Sequence, residues 1–167
     1  MLNKELRTAR ITCAILLLSG YICGNAGAEW TKVRQVIDGD TIILENNQHV
    51  RLIGVDTPEI KSKYNPRTEY YAIQAKQFVE QRAEGRMVFL EGDDAQAPFD
   101  KYGRRLAYVY LEDQTLLNRA LVQQGYGEAI RVFPYKFKEE FWDLERQSKA
   151  EGWGMWGDRS LVEDIGK

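Results

Sequence analysis

The sequence predicts an α+β fold, mainly β, in which five short strands close a small barrel accompanied by three α-helices. Three observations carry that expectation. Short β-branched runs separated by turn residues fill the first half, and apolar residues at helical spacing appear later. The length, 167 residues with 44 % of them hydrophobic, suits a single core.

Between Trp30 and Leu44, the residues Val33, Val36, Ile37, Ile42, Ile43 and Leu44 form two runs interrupted by Asp38-Gly39-Asp40, the pattern of two strands joined by a turn. A second turn at Glu45-Asn46-Asn47-Gln48 leads into a third strand over residues 50–55, which Pro58 stops from running on regularly. Residues 61–67 are polar, contain Pro66 and read as a loop. Thr68 and Glu69 then offer capping chemistry to a helix whose Ala72, Ala75, Phe78 and Val79 recur every three or four residues and which ends near Gly85. Strands at 87–90 and 106–111 flank an acidic connection over 91–103, and helices are expected at 115–124 and 136–150. Five strands so arranged suggest a small antiparallel barrel, of which the OB-fold is the commonest five-stranded form.

At the N-terminus, Lys4, Arg7 and Arg10 precede an apolar run from Ile11 to Leu18 and a small-residue exit, Ala26-Gly27-Ala28. That reads as a signal peptide over residues 1–28, cleaved near Ala28, and hence a secreted or periplasmic protein with no membrane contact in its mature form. A membrane anchor needs about 20 apolar residues; Gly20, Asn25 and Gly27 break the run first. Residues 29–157 then form the domain, a monomer by default, and 158–167 a charged, loosely held tail.

Both cysteines, Cys13 and Cys23, lie in the removable segment, which leaves the mature chain without disulfide or thiolate metal site. Ile22 is too bulky for the site of a lipid-modified Cys23. Removing residues 1–28 takes 23 basic and 25 acidic residues to 20 and 24, net −4. Such a protein does not hold polyanions by bulk attraction, so any affinity for nucleic acid must be local, from clustered cations and a metal.

Two acidic turns stand where strands give way to loops: Asp38-Gly39-Asp40-Thr41 and Asp56-Thr57-Pro58-Glu59. Taken singly, each is ordinary turn chemistry. Arg51, however, sits in an otherwise apolar strand, and a buried guanidinium must find anions, whether in a structural ion pair or in a ligand. Arg104 and Arg105 raise the same question at the start of a later strand, after Asp100-Lys101-Tyr102-Gly103.

Taken together and in register, residues 36–41, residues 51–59 and Asp100-Lys101-Tyr102-Gly103-Arg104 resemble the signature of the staphylococcal nuclease (thermonuclease) family. The likeness runs on through Leu117-Asn118-Arg119-Ala120-Leu121-Val122 to the closing Gly-Trp pattern, covering Lys32 to Trp156. The resemblance implies a five-stranded OB barrel with three helices and a calcium-dependent endonuclease acting on DNA and RNA with little sequence specificity, leaving 3′-phosphates. It implies Ca2+ ligands at Asp40, Asp56 and the Thr57 carbonyl, and catalytic roles for Arg51, Glu59 and Arg104. It points also to nucleotide contacts from Lys61 or Lys63 and from Lys101 and Tyr102.

The chemistry of these residue types agrees. Calcium takes about six to eight oxygen ligands, so two carboxylates and a carbonyl leave room for water and a phosphate oxygen. Glu59 suits a proton acceptor, and planar guanidinium groups grip phosphate oxygens in pairs. With His49 as the one histidine, a metal-free mechanism using two histidines is excluded, and His49 is expected to face solvent. Trp153, Met155 and Trp156 are expected to clasp the last helix. Where the family has tyrosines after the second helix, this chain reads Ala129-Ile130-Arg131-Val132-Phe133, which implies weaker stacking with charge from Arg131 instead. The alternative reading is a non-catalytic OB module that binds single-stranded nucleic acid; relatives of that kind lose the acid, the arginines or the metal carboxylates, all present here.

Overall fold

A computed structural model describes residues 29–63 and 66–157; the expected leader and tail lie outside them. In chain order the elements are β1 (Glu29–Val36), β2 (Thr41–Leu44), β3 (His49–Leu52), β4 (Val55–Asp56), α1 (Ala72–Ala83), β5 (Met87–Glu91), β6 (Arg105–Leu111), α2 (Leu117–Gln123), β7 (Glu128–Ala129) and α3 (Lys138–Glu151), followed by a 3-10 turn at Gly154–Trp156. Strands β1, β2, β3, β6 and β5 pair in that order as a closed barrel, the five strands and three helices that the sequence predicts.

One seam departs from the antiparallel expectation. The pairs β1–β2, β2–β3, β5–β6 and β1–β5 are antiparallel, but β3 and β6 run parallel, with Arg51 opposite Leu106. A parallel pair needs a long crossover, and α1 with β5 supplies it between the two strands. The third strand is also shorter than its apolar run. The chain turns at Ile53-Gly54, with Gly54 at φ +81°, where a Cβ would fall 2.7 Å from the Tyr135 ring. Val55 and Asp56 therefore leave the barrel and pair with β7, a strand too short to show in the sequence.

Alternation along the strands sends Val36, Ile42, Leu44, Val50, Leu52, Val88, Leu90 and Val109 into the barrel, where they are buried. Burying each such side chain contributes on the order of 2 kcal/mol. Phe78 and Val79 of α1, Leu117 and Leu121 of α2 and Phe141 of α3 join the same core. The buried Asn118 amide donates to the carbonyls of Ile53 (2.8 Å) and Ala107 (3.2 Å), and its oxygen accepts the Val109 N–H (2.9 Å). It thereby ties the exit of β3 to β6.

Helix α1 begins at Ala72 rather than at Thr68, after Tyr71 at φ 69°, and has no side-chain cap. The Thr68 hydroxyl and the Glu69 carboxylate instead accept the N–H groups of Lys61 and Glu59. The segment after α3 is held by backbone bonds, the Met155 N–H donating to the Gly125 carbonyl (2.8 Å) and that of Trp153 to the Ser148 carbonyl (3.0 Å), while the Trp153 side chain stays exposed. His49 is exposed. Among the described residues no helix is long and apolar enough to cross a membrane.

Candidate active site

The first acidic turn presses close against its neighbours. Asp38 Oδ1 accepts the Asp40 N–H (3.1 Å), and a Cβ on Gly39 would lie 2.8 Å from the Thr57 side chain and 2.9 Å from Ala75, so this position requires glycine. The turn delivers Asp40, 2 % exposed, beneath the second acidic segment. Its Oδ1 accepts the Thr41 hydroxyl (3.0 Å), and its Oδ2 accepts both the N–H (2.8 Å) and the hydroxyl (3.1 Å) of Thr57. A buried carboxylate with three donors needs a countercharge as well.

Arg51 supplies it from β3. Its Nη1 lies 3.1 Å from Asp40 Oδ2 and donates to the carbonyls of Val55 (2.6 Å) and Leu52 (3.1 Å), while Nη2 donates to Asp56 Oδ1 (2.5 Å). The Arg51 side chain is 13 % exposed, whereas that of Asp56 is 65 % exposed. One guanidinium thus joins two acidic turns distant in sequence. The carbonyls it grips come from the very bend that Gly54 makes possible.

Arg104 approaches from the start of β6. Its Nε donates to Asp100 Oδ2 (2.7 Å), its N–H donates to Asp100 Oδ1 (3.0 Å), and Nη1 reaches the Thr41 hydroxyl at 3.5 Å. Arg51, Arg104, Lys101 and Tyr102 line one cleft of about 550 Å3, and Phe99, Ile130, Phe133 and Tyr135 form its apolar wall. The guanidinium of Arg104 lies 5.5 Å from the Tyr102 ring. Two arginines beside an apolar wall form a surface for a phosphate with an aromatic substituent.

Glu59 stands on the exposed loop that follows β4 and is coupled electrostatically to Asp40, Arg51 and Asp56. Burial, then the charge of Asp40, raises its pKa above the usual carboxylate value, against the pull of Arg51. Asp56 is also raised, by burial first and by Asp40 and Glu69, with Arg51 opposing. Asp38 is pushed up to about 7 by burial and by the charges of Asp40 and Glu59. Carboxylates that hinder one another's ionisation share a locus short of positive charge.

Among the described residues no group of three or more His, Cys, Asp or Glu forms a ready-made metal cage. What the locus offers is the carboxylates of Asp40 and Asp56 and the Thr57 main chain, all hard oxygen donors, beside that deficit of positive charge. This donor set fits calcium, which accepts such oxygens together with water.

Residues 49–158 match the family model described as staphylococcal nuclease homologue. The chain belongs to the staphylococcal nuclease family. It is 36 % identical over 138 residues to the thermonuclease of Staphylococcus hyicus, covering 80 % of this chain and 79 % of that one. It is 39 % identical over 122 residues to the thermonuclease of Staphylococcus intermedius, covering 71 % and 70 %. An uncharacterized protein of Methanocaldococcus jannaschii is 34 % identical over 147 residues, covering 75 % and 70 %.

In this member of the staphylococcal nuclease family, Asp40, Arg51, Asp56 and Thr57 make direct contacts with one another, and Arg104, Lys101 and Tyr102 join Arg51 on the cleft. Lys61 and Lys63 are exposed on the loop beyond Glu59 and do not line the cleft. Arg131 does not line the cleft: it pairs with the buried Glu145 of α3 and lies 4.7 Å from the Trp142 ring. The sequence reading missed Asp38 as a perturbed acid, Glu69 as a partner of Glu59, and Phe99 and Tyr135 as cleft walls. Asp38 alone had a visible signal, its place in the Asp-Gly-Asp turn.

Proposed function

We propose that this protein is a secreted or periplasmic, calcium-dependent endonuclease. It hydrolyses phosphodiester bonds in DNA and RNA with little sequence preference, leaves 3′-phosphates and acts as a monomer. Membership of the staphylococcal nuclease family supports the nuclease reading, and similarity to two thermonucleases adds to it. The observation that carries it is the meeting of Arg51 and Arg104 on one cleft, with Arg51 also bound to Asp40 and Asp56.

In this reading Arg51 and Arg104 hold the oxygens of the scissile phosphate and stabilise the charge that grows there in the transition state. Asp40, Asp56 and the Thr57 carbonyl would hold Ca2+, which when bound would supply Lewis acidity at the phosphoryl group. Glu59 takes the proton of the attacking water, its pKa raised above the ordinary carboxylate value by burial and by the charge of Asp40. Asp100 accepts one hydrogen bond from the Arg104 backbone N–H and one from Nε of its guanidinium, so that guanidinium is oriented before substrate arrives. Lys101 and Tyr102 contact the nucleotide, Lys63 meets the chain further out, and Phe133 with Phe99 faces the base. Recognition through phosphate and an apolar wall gives little means of telling one base from another.

The test is incubation of the purified protein with plasmid DNA and with RNA, with calcium and with EGTA. Cleavage that needs calcium supports the reading. Binding without cleavage under both conditions assigns the protein to the non-catalytic OB modules, and full cleavage in chelator removes the metal.

A further inference from the structure

Glu59 lies on a loop, and a proton acceptor on a loop needs an anchor if its carboxylate is to meet substrate at one place. The anchor is a reciprocal pair. The N–H of Glu59 donates to Oε2 of Glu69 (2.9 Å), and the N–H of Glu69 donates to the Glu59 carbonyl (2.9 Å). Next to it the Lys61 N–H donates to the Thr68 hydroxyl (3.1 Å). These bonds close the base of the loop where the chain returns towards α1.

Glu69 has no competing task in the helix, because α1 starts at Ala72 with no side-chain cap. What its carboxylate contributes to the loop is an oxygen that accepts the Glu59 N–H. We propose that Glu69 is a positioning residue of this nuclease: by accepting the Glu59 N–H it fixes the backbone from which the Glu59 carboxylate reaches the reacting water, without itself touching substrate. The inference rests on the reading of Glu59 as the base.

A side chain that keeps the acceptor but drops the charge should preserve the function, and one that drops both should not. Glu69→Gln is expected to retain kcat within about twofold. Glu69→Ala is expected to lose about ten- to a hundredfold in kcat, the scale of an ångström's misplacement, with KM changed less than threefold because the phosphate-holding arginines are untouched. Amide hydrogen exchange at Glu59 should be slow in the parent and in Glu69→Gln and fast in Glu69→Ala. That readout does not depend on turnover. In the Glu59→Gln background, Glu69→Ala should add no further loss, as expected of two residues acting through one group.

An unchanged kcat in Glu69→Ala overturns the proposal. So does equal damage from Gln and Ala, which would make charge the operative property, and so does an additive loss in the double variant. Should Glu69→Ala prove too unstable to assay, Thr68→Ala, which opens the adjoining bond alone, must lower kcat without raising KM; no change in either overturns the proposal. Full activity in Glu59→Gln, by contrast, refutes the base assignment itself. An inactive Glu59→Gln beside a fully active Glu69→Ala refutes the positioning role alone.

Discussion

Replacing Arg51 by methionine keeps the stem of the side chain and removes the charge that binds the two acidic turns. The four arms of the guanidinium do not count equally. The one to Asp56, whose side chain is 65 % exposed, contributes at most about 1 kcal/mol. The arms to the Val55 and Leu52 carbonyls contribute about 1 kcal/mol each. The arm to Asp40 dominates, because that side chain is 3 % exposed and its carboxylate would be stranded. Breaking a buried pair from one side costs about 3–5 kcal/mol, and three donors from Thr41 and Thr57 remain on Asp40 to soften the loss. The expected destabilisation is therefore about 3 kcal/mol, read as a lower midpoint in urea-induced unfolding followed by tryptophan fluorescence. Calcium should stabilise Arg51→Met at least as much as the parent, since a cation between Asp40 and Asp56 replaces the missing charge. Adding Asp40→Asn removes the stranded charge and should recover part of the loss. A single variant that loses less than about 1 kcal/mol, or a double variant less stable than the single one, would refute the reasoning.

Glu59→Gln should lower kcat by about a hundred- to ten-thousandfold, the range of general base catalysis, with unchanged circular dichroism; an active variant would show that another group takes the proton. Phe133, 57 % exposed on the cleft rim, should be replaceable by alanine with less than about 0.5 kcal/mol change in stability. The KM for short oligonucleotides should nevertheless rise five- to a hundredfold, as loss of one stacked base predicts, at about 1–3 kcal/mol. Equal KM values would remove Phe133 from the substrate path. Asp93 gives a pH test. Burial works against its ionisation, but hydrogen bonds from the Tyr108 hydroxyl and the N–H groups of Lys136 and Ala95 outweigh it and hold its pKa below the ordinary 3.8. A depressed folded pKa adds stability above about pH 4 that disappears as pH falls through the folded value. Asp93→Asn should be the less stable protein at pH 7 and converge on the parent in acid, and a constant gap in unfolding midpoint from pH 7 to pH 2 would contradict the assignment.

The barrel was legible because β-branched runs broken by Asp-Gly and Asn-Asn turns mark strand boundaries locally, and Ala72, Ala75, Phe78 and Val79 mark α1 in the same way. The break inside residues 50–55 was not, since Gly54 sits in an apolar run and its turn is imposed by packing against Tyr135. Nor does a pattern of strands say which two meet in parallel. In the site, the motif residues Asp40, Arg51 and Asp56 converge because each lies at or beside a strand end, a position the sequence reveals. Glu69 misled because Thr-Glu before a helix is the ordinary capping signal, while its partner lies ten residues earlier. The partner of Arg131 was hidden for a similar reason: Glu145 is on another element altogether.

The parallel seam fixes an order of events in the cell. Strand β3 pairs with β2 on one side and finds its other neighbour only in β6, so residues 53–104 must be made before the barrel can shut. At synthesis rates of about 5–20 residues per second, the first three strands wait several seconds with a bare flank.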